Sequence, residues 1–196
     1  MAVRADLPVN SVAELVSYAQ ANPGKLSYAS SGNGSPHHLG MEQFKLLTGT
    51  DMMHVPFKGV AESVPSLVAG RTDLMLVALS SINPHIQSGK IRVLGVGSLA
   101  KSALMPGVPP IADGGAPNFV ALSRIGFVAP AGTPENRIHI LADAITQALE
   151  SPEIKERMQA FGMEPVDIPR DAYAELIRTE IPQYGELIEK VGLKID

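Results

Sequence analysis

Short apolar runs and longer amphipathic stretches alternate along most of the chain. Apolar residues three or four positions apart, between a capping residue and a glycine, are typical of helices. Short continuous apolar runs between turn residues are typical of strands buried on both faces. This pattern predicts strands at about 26–29, 52–55, 74–79, 91–96, 123–129 and 164–166. It predicts helices at about 12–21, 37–48, 61–69, 134–149, 152–161 and 170–191, with a loop and short helix within 80–88.

Strands and helices alternate as far as Val96, which is typical of an α/β fold with a parallel sheet and right-handed crossovers. In such sheets, ligands bind beyond the carboxyl ends of the strands. We therefore expect three loops to share one edge of the sheet, namely Ser30–Ser35, Phe57–Gly59 and Ser80–Ser81.

The pattern changes after this predicted sheet. Residues 98–118 are rich in proline and glycine, which predicts a long loop. The remainder has at most two predicted strands against three or four long helices, too few strands to cover those helices. The second half of the chain is therefore predicted to be incomplete as a domain. Pro182 is expected to kink the last helix.

The segment Ser30–Ser35, called the glycine loop below, carries the clearest chemistry in the sequence. It joins a predicted strand to a predicted helix, with Ser35 placed as N-cap and Pro36 as the first helical residue. The first turn of a helix has free N–H groups and a dipole that favours negative charge. Gly32 and Gly34 allow close backbone approach, and the serine hydroxyls add donors. The glycine loop is therefore predicted to bind an anion.

Composition and charge narrow the classes of function. The net charge of −4 provides no basic stripe, so nucleic acid is not expected as a partner. No window approaches the roughly 20 apolar residues of a membrane-spanning helix. The stretch Met1–Asp6 lacks the apolar core of a signal peptide, so none is predicted in this chain. The absence of cysteine excludes disulfides, thiol catalysis and thiolate metal sites, and leaves the compartment open.

Five stretches, taken together and in order, carry a resemblance to a known family. They are LSYASSGNGSPHH at 26–38, HVPFKG at 54–59, PHIQSGKIRVLGV at 84–96, PGVP at 106–109 and GFVAPAGTP at 126–134. With this order and spacing, the chain resembles the periplasmic solute-binding proteins of tripartite tricarboxylate transporters, often called the Bug family. The resemblance covers nearly the whole chain.

The resemblance implies an α/β fold of the type II periplasmic-binding-protein kind, in which two lobes close on a ligand. Residues 1–118 match the complete second lobe of the family, and residues 119–196 match the C-terminal part of the first lobe. Family members are longer, so this chain is expected to be an N-terminally truncated form. The segments expected to be missing are the signal peptide and the N-terminal part of the first lobe.

The resemblance also implies a function. It implies non-enzymatic binding of a small carboxylated solute in the periplasm, either a di- or tricarboxylate or an acidic amino acid. The closed form would then dock on the membrane permease subunits of the transporter. No cofactor is implied.

By the same resemblance, backbone and hydroxyl groups of the glycine loop hold a ligand carboxylate, partly through water. Arg124 stands where the family often has an aromatic residue, and Val77–Ala78 where it often has an acid or amide. A charge at position 124 could contact a second carboxylate or could simply lie exposed. The predicted ligand-binding residues are Ser30, Ser31, Gly32, Asn33, Gly34, Ser35, His37, Phe57, Lys58, Gly59, Ser80, Ser81 and Arg124.

His37 and His38 raise a competing hypothesis, a metal site or a serine hydrolase with Ser30 or Ser31. No second histidine lies four residues further on, and no G-x-S-x-G pattern surrounds either serine. Capping and packing roles are therefore predicted for both histidines, and a structural role for His54. Neither catalytic nor metal-binding residues are predicted.

A truncated fragment that no longer binds ligand is the main alternative to a working binding protein. Half of the cleft would be missing, and affinity depends on burial from both sides. The apolar surface left uncovered would be buried by self-association in a homodimer. A phosphate-transfer enzyme would need G-x-x-x-x-G-K-[ST], and a DNA-binding regulator would need a helix-turn-helix; the sequence has neither.

Overall fold

The structure, a computed structural model, describes residues 1–193 and shows an α/β fold. Its strands are β1 (Ala2–Arg4), β2 (Ser27–Ser30), β3 (Met53–Pro56), β4 (Leu74–Met75) and β5 (Ile91–Val93). Its α-helices are α1 (Val12–Ala21), α2 (Pro36–Thr48), α3 (Val60–Val68), α4 (Leu79–Gln87), α5 (Glu135–Glu150), α6 (Pro152–Ala160) and α7 (Arg170–Val191). A 3-10 turn spans Ile111–Gly114.

The five strands form one sheet in the order β3-β2-β4-β1-β5. β2 runs parallel to both β3 and β4, which confirms the predicted direction of these three strands. β1 runs antiparallel to β4 and β5, so the prediction of a wholly parallel sheet was wrong. Sequence reasoning missed β1 because a strand of three residues is too short to show a period.

Apolar clusters cover both faces of the sheet, as expected for an α/β fold. Tyr28 and Leu74 belong to the cluster that includes α1 and α2. Their chain neighbours Ala29 and Met75 belong to the cluster that includes α3 and α4, because successive strand side chains alternate between faces. Phe119, which follows the long loop at 98–118, is fully buried and packs in the first of these clusters.

The helices lie within a few residues of their predicted positions, and α7 continues through Pro182 to Val191. Two strands are much shorter than predicted. The predicted strand 74–79 ends at Met75, and its last residue, Leu79, begins α4. A continuous apolar run does not distinguish a buried strand from the start of a helix, which explains this error. The predicted strand 91–96 ends at Val93.

Two predicted strands, 123–129 and 164–166, are not strands in the structure. Residues 123–129 make no hydrogen-bonded pairing with any strand of residues 1–193, and backbone pairing is what defines a strand. Their apolar side chains are exposed: Ile125 by 82%, Phe127 by 80% and Val128 by 90%. The apolar pattern predicted burial here, and the described chain supplies no partner that buries it.

The C-terminal helices contact the sheet-bearing part of the chain at a few defined points. α7 packs on α2, and its Leu187 is buried. The Ala121 N–H donates to the Gly97 carbonyl at 2.9 Å. The two backbones are so close there that a Cβ atom on Gly97 would lie 2.1 Å from the Ala121 oxygen. The Ser102 hydroxyl donates to the Glu164 carboxylate at 2.5 Å.

Candidate functional site

The glycine loop leaves the carboxyl end of β2 and leads directly into α2. Ser30 is fully buried, and its hydroxyl oxygen accepts the Gly32 N–H at 3.1 Å. The same hydroxyl lies 2.6 Å from Nε2 of His54. The Ser35 N–H donates to the Gly32 carbonyl at 3.2 Å. These bonds close the loop into a tight turn with a defined shape.

Ser35 caps the N-terminus of α2, as predicted. Its hydroxyl oxygen accepts the His38 N–H at 3.3 Å, and its carbonyl accepts the Leu39 N–H at 2.9 Å. Pro36 is the first helical residue, a position where its missing N–H costs nothing. The N-terminus of α2 therefore begins at the glycine loop.

The loop after β3 lies against the glycine loop. The Phe57 N–H donates to the Ser30 carbonyl at 3.1 Å. Gly32 has φ +130°, and a Cβ atom on it would lie 3.4 Å from the Phe57 oxygen. The Lys58 side chain is exposed, and among residues 1–193 it has no acidic partner within 4.0 Å. The structure therefore brings Phe57–Gly59 next to the glycine loop, as predicted.

Three helix N-termini lie at this edge of the sheet. β3, β2 and β4 are neighbours that run in the same direction, so α3, α2 and α4 all begin at their carboxyl ends. Within the described part of the chain, the N–H groups of Ser31, Asn33 and His37 have no acceptor in the protein. Gly59 and Ala78 precede α3 and α4 without a capping side chain. This edge therefore has the N–H groups and helix dipoles that favour an anion.

Ser80 and Ser81 lie in the first turn of α4. No hydrogen bond in residues 1–193 joins either serine to the glycine loop. Instead, the backbone after α6 lies against the start of α4, where a Cβ atom on Gly162 would be 2.9 Å from the Ser80 nitrogen. Ser80 therefore lies where the backbone after α6 meets the start of α4.

Arg124 lies in the exposed segment after Phe119 and pairs with α7. Its guanidinium donates to both carboxylate oxygens of Glu180, at 2.8 and 3.0 Å. Both side chains are about one-third exposed or less. No hydrogen bond of the described residues joins Arg124 to the glycine loop.

A stack of aromatic rings lies beneath the glycine loop. The rings of His38 and His54 stack at 3.7 Å between centroids, and Tyr28 stacks on His54 at 4.9 Å. The Tyr28 hydroxyl donates to Glu42 at 2.5 Å, and the Lys45 ammonium donates to the same carboxylate at 2.7 Å. Burial raises the pKa of Tyr28, and the Glu42 carboxylate adds to this effect.

The three histidines around the glycine loop are neutral near pH 7. Burial lowers the pKa of His54 to about 4, and proximity to His38 acts in the same direction. Burial also lowers the pKa of His37 and of His38, although the Glu42 carboxylate partly opposes the shift at His38. Positive charge at this edge therefore comes from Lys58 and from the helix dipoles rather than from imidazolium groups.

Sequence reasoning did not anticipate that His38 and His54 contact the glycine loop. The β2–β3 register, which pairs Tyr28 with His54, places the imidazole beside the loop. The histidine of β3, opposite a tyrosine of β2 that precedes the glycine loop by two residues, was the available signal. Three or more histidine or acidic side chains with a metal-binding arrangement do not occur within residues 1–193.

An α-helix that spans a bilayer must be both long and apolar. Among the helices of residues 1–193, none is long and apolar enough to cross a membrane.

The chain is similar to a known protein family along nearly its whole length. Residues 1–193 match the family model described as tripartite tricarboxylate transporter family receptor. A UPF0065 protein encoded in the gbd 5' region of Cupriavidus necator is 34% identical over 193 residues. That match covers 98% of this chain and 58% of the relative, so the chain spans little more than half the relative's length.

Two solved structures share the fold. The structure of R. palustris Rpa4515 with adipate is 31% identical, with a TM-score of 0.85, and the match covers 98% of this chain and 64% of that one. The periplasmic binding protein BugD is 28% identical, with a TM-score of 0.76, and the match covers 98% of this chain and 65% of that one. The predicted α/β fold of the periplasmic-binding-protein kind is confirmed. With a family match along all the described residues, the chain belongs to the receptor family of tripartite tricarboxylate transporters, as its motifs indicated.

Proposed function

We propose that this protein binds a small organic carboxylate outside the cytoplasm and delivers it to the permease subunits of a tripartite tricarboxylate transporter. The observation that carries the proposal is the meeting of three helix N-termini at one edge of the sheet. The description of the matching family as transporter receptors and the presence of adipate in the R. palustris structure support it. Binding, rather than catalysis, is the proposed activity.

The chemistry of the edge favours a carboxylate. The free N–H groups of Ser31, Asn33 and His37 are donors, and the Ser31 hydroxyl is a further polar group. Hydrogen bonds from N–H groups to a carboxylate are stronger than those to a neutral acceptor. Lys58 supplies a positive charge beside the glycine loop. Di- and tricarboxylates and acidic amino acids are the proposed ligand class.

Arg124 is proposed to contact the second carboxylate of such a ligand. In the structure its guanidinium is occupied by Glu180. A ligand carboxylate would therefore exchange with or join the Glu180 carboxylate. The pairing with Glu180 supports the proposal, because it shows that the Arg124 guanidinium can bind a carboxylate in this segment.

The ligand is proposed to lie between two parts of the chain. One part is residues 1–118, proposed as a complete lobe, and the other is residues 119–196, proposed as part of a second lobe. The proposal is supported by contacts between the two parts, namely the close approach of Gly162 to Ser80 and the bond between Ser102 and Glu164, as expected for the two walls of one site. Residues 194–196 lie outside the described residues.

The proposal is tested by isothermal titration calorimetry and thermal unfolding with adipate, succinate, citrate and glutamate. At least one carboxylate should bind, and a ligand at 100 times its Kd should add about 2.7 kcal/mol to the free energy of unfolding. 1,6-Hexanediol, which has the length of adipate but no charge, is the matched control and should not bind. No binding by any of the four carboxylates would overturn the proposal.

Lys58→Gln tests the charge at the site. The affinity for the carboxylate should fall roughly two- to fivefold, because an exposed ionic contact contributes about 0.5–1 kcal/mol. Lys90→Gln is the matched control, since Lys90 is exposed at the amino end of β5, on the opposite edge of the sheet. Equal affinity of the two variants would show that Lys58 makes no contact with the ligand.

As the alternative to ligand binding, we propose that the described chain taken by itself self-associates and does not bind ligand. The exposure of Ile125, Phe127 and Val128 favours it, because an apolar patch of this kind is typical of an interface. The proposed occupant is the same segment of a second copy, since both copies offer unpaired backbone groups at 123–129.

A further inference from the structure

Three histidine side chains each contact a different point of the glycine loop. His54 approaches from β3, and the other two belong to the first turn of α2. The three contacts are Ser30 Oγ to His54 Nε2 at 2.6 Å, Ser31 Oγ to His37 Nδ1 at 2.7 Å, and Gly34 N to His38 Nδ1 at 3.1 Å.

The contact at His38 defines where its ring carries a proton. The donor is the Gly34 N–H, so Nδ1 of His38 must be an unprotonated acceptor, and the proton of the neutral ring is on Nε2. His38 is only 3% exposed, and the Gly34 N–H that it accepts is half-buried. If Nδ1 of His38 were protonated, it would be a donor facing the Gly34 N–H, which is also a donor. The hydrogen bond between them would then be lost.

The surroundings of His38 favour the neutral ring. His54 from β3 stacks face to face on it, and Tyr28 from β2 lies 6.2 Å away, tilted by 33°. The charged groups facing it from its own helix are Glu42 and Lys45, which pair with each other. The Tyr28 hydroxyl also donates to Oε1 of Glu42, the oxygen that Lys45 uses. No hydrogen bond of residues 1–193 joins Glu42 to His38.

A nucleophile–base interpretation of the two serine–histidine contacts is less consistent with the geometry. Ser30 is fully buried, and its hydroxyl is already bonded to the Gly32 N–H. Within residues 1–193, no carboxylate is hydrogen-bonded to His37 or His54, as it would be in a catalytic triad. The Ser30–His54 and Ser31–His37 contacts therefore stabilise the shape of the glycine loop.

We propose that His37, His38 and His54 are positioning residues whose neutral imidazoles hold the glycine loop in its ligand-binding shape, and that this requires an unprotonated Nδ1 on His38. The claim that carboxylate binding depends on these histidines rests on the proposed function. The claim that they hold the glycine loop in shape rests on the structure alone. It adds His38 and His54 to the residues on which carboxylate binding depends, although neither side chain needs to touch the ligand.

The first test uses the unaltered protein and no ligand. Nitrogen-15 NMR at pH 7 should show His38 protonated at Nε2 and unprotonated at Nδ1. The Gly34 amide should be protected from hydrogen exchange at pH 7, and its protection factor should fall as the pH is lowered toward 4. A proton on Nδ1 of His38 at pH 7, or an unprotected Gly34 amide, would overturn the proposal.

The second test compares two variants with adipate as the probe, measured by calorimetry. In His38→Asn, the amide oxygen takes approximately the place of Nδ1 and accepts the Gly34 N–H, so most of the affinity should remain. In His38→Gln, the amide reaches the place of Nε2 instead, and affinity should fall roughly tenfold because the half-buried Gly34 N–H loses its acceptor. Equal losses in both variants at equal Tm would contradict the proposed role.

The two tests separate failure of this inference from failure of the proposed function. If adipate and the other carboxylates do not bind the unaltered protein, the proposed function fails, and the NMR result still decides whether His38 holds the loop. If a carboxylate binds but His38→Gln matches His38→Asn in affinity and in Gly34 protection, only the role of His38 fails.

Discussion

Among single residues, Gly32 in the glycine loop and Gly49 at the end of α2 allow an effect on ligand binding to be compared with an effect on stability alone. Both have a positive φ, but a Cβ atom on Gly32 would lie 3.4 Å from the Phe57 oxygen, whereas Gly49 has open space around it. Each Gly→Ala change should lower the free energy of unfolding by about 1–2 kcal/mol through backbone strain. Only Gly32→Ala should also weaken carboxylate binding, as measured by calorimetry. Unchanged affinity in Gly32→Ala would show that the ligand does not depend on the loop's shape.

The partial burial of His54 predicts a dependence of stability on pH. In the unfolded chain a histidine has a pKa near 6.5, whereas burial lowers the pKa of His54 to about 4. As the pH falls below about 6.5, the unfolded chain takes up protons before the folded one, so the free energy of unfolding decreases until about pH 4. His54 should contribute a loss of about 2 kcal/mol, reduced by its partial exposure.

Urea unfolding at pH 7, 6, 5 and 4.5 measures this loss. His54→Asn should flatten the profile between pH 6 and 4.5. His139→Asn is the control, because the His139 side chain is 69% exposed on α5, away from the ring stack. A profile of the unaltered protein that is flat from pH 7 to 4.5 would contradict the prediction.

For whole elements, two helix caps allow stability and binding to be separated. Ser35 caps α2 beside the glycine loop, and Ser11 caps α1, which follows a strand of opposite direction. Each Ser→Ala change should lower the free energy of unfolding by about 1 kcal/mol, because a helix N–H loses its acceptor. Affinity should fall in Ser35→Ala and remain unchanged in Ser11→Ala. Binding losses of the same size in both would indicate a general effect of stability.

Helix boundaries were predictable because they depend on local chemistry. Ser11 and Ser35 bond to N–H groups three residues further on, so the cap and the helix can be recognised within four positions. Strand boundaries depend on partners far away in sequence. Residues 123–129 have a strand's apolar pattern, but the described chain provides no strand to pair with them.

The candidate site was predictable only in part, for the same reason. The glycine loop and its Ser35 cap follow from neighbouring residues, whereas binding of an anion there stays a prediction. The contact of His54 with Ser30 depends on the β2–β3 register, and the pairing of Arg124 with Glu180 joins residues 56 positions apart. No local pattern encodes those two contacts.

For the whole molecule, the exposed apolar segment predicts self-association of the 196-residue chain. Burying Phe127 and Val128 against a second copy should yield a dimer by size-exclusion chromatography with light scattering, because apolar burial contributes about 25 cal/mol per Å². Phe127→Asp should shift the dimer to monomer. Leu99→Asp is the control, since Leu99 is 61% exposed in the long loop, outside the segment. A monomer for the unaltered chain would contradict the prediction.

The close approach of Gly97 to Ala121 restricts which sequences can adopt this fold. A Cβ atom at position 97 would lie 2.1 Å from a backbone oxygen, which cannot rotate away, so every other residue should be excluded by lack of space. Position 49 has φ +62° and open space, so asparagine, which tolerates this conformation, should be accepted there. In a saturation library sorted for folded protein, position 97 should retain glycine alone, and position 49 should retain both. An invariant glycine at position 97 would then reflect steric selection rather than the choice of ligand.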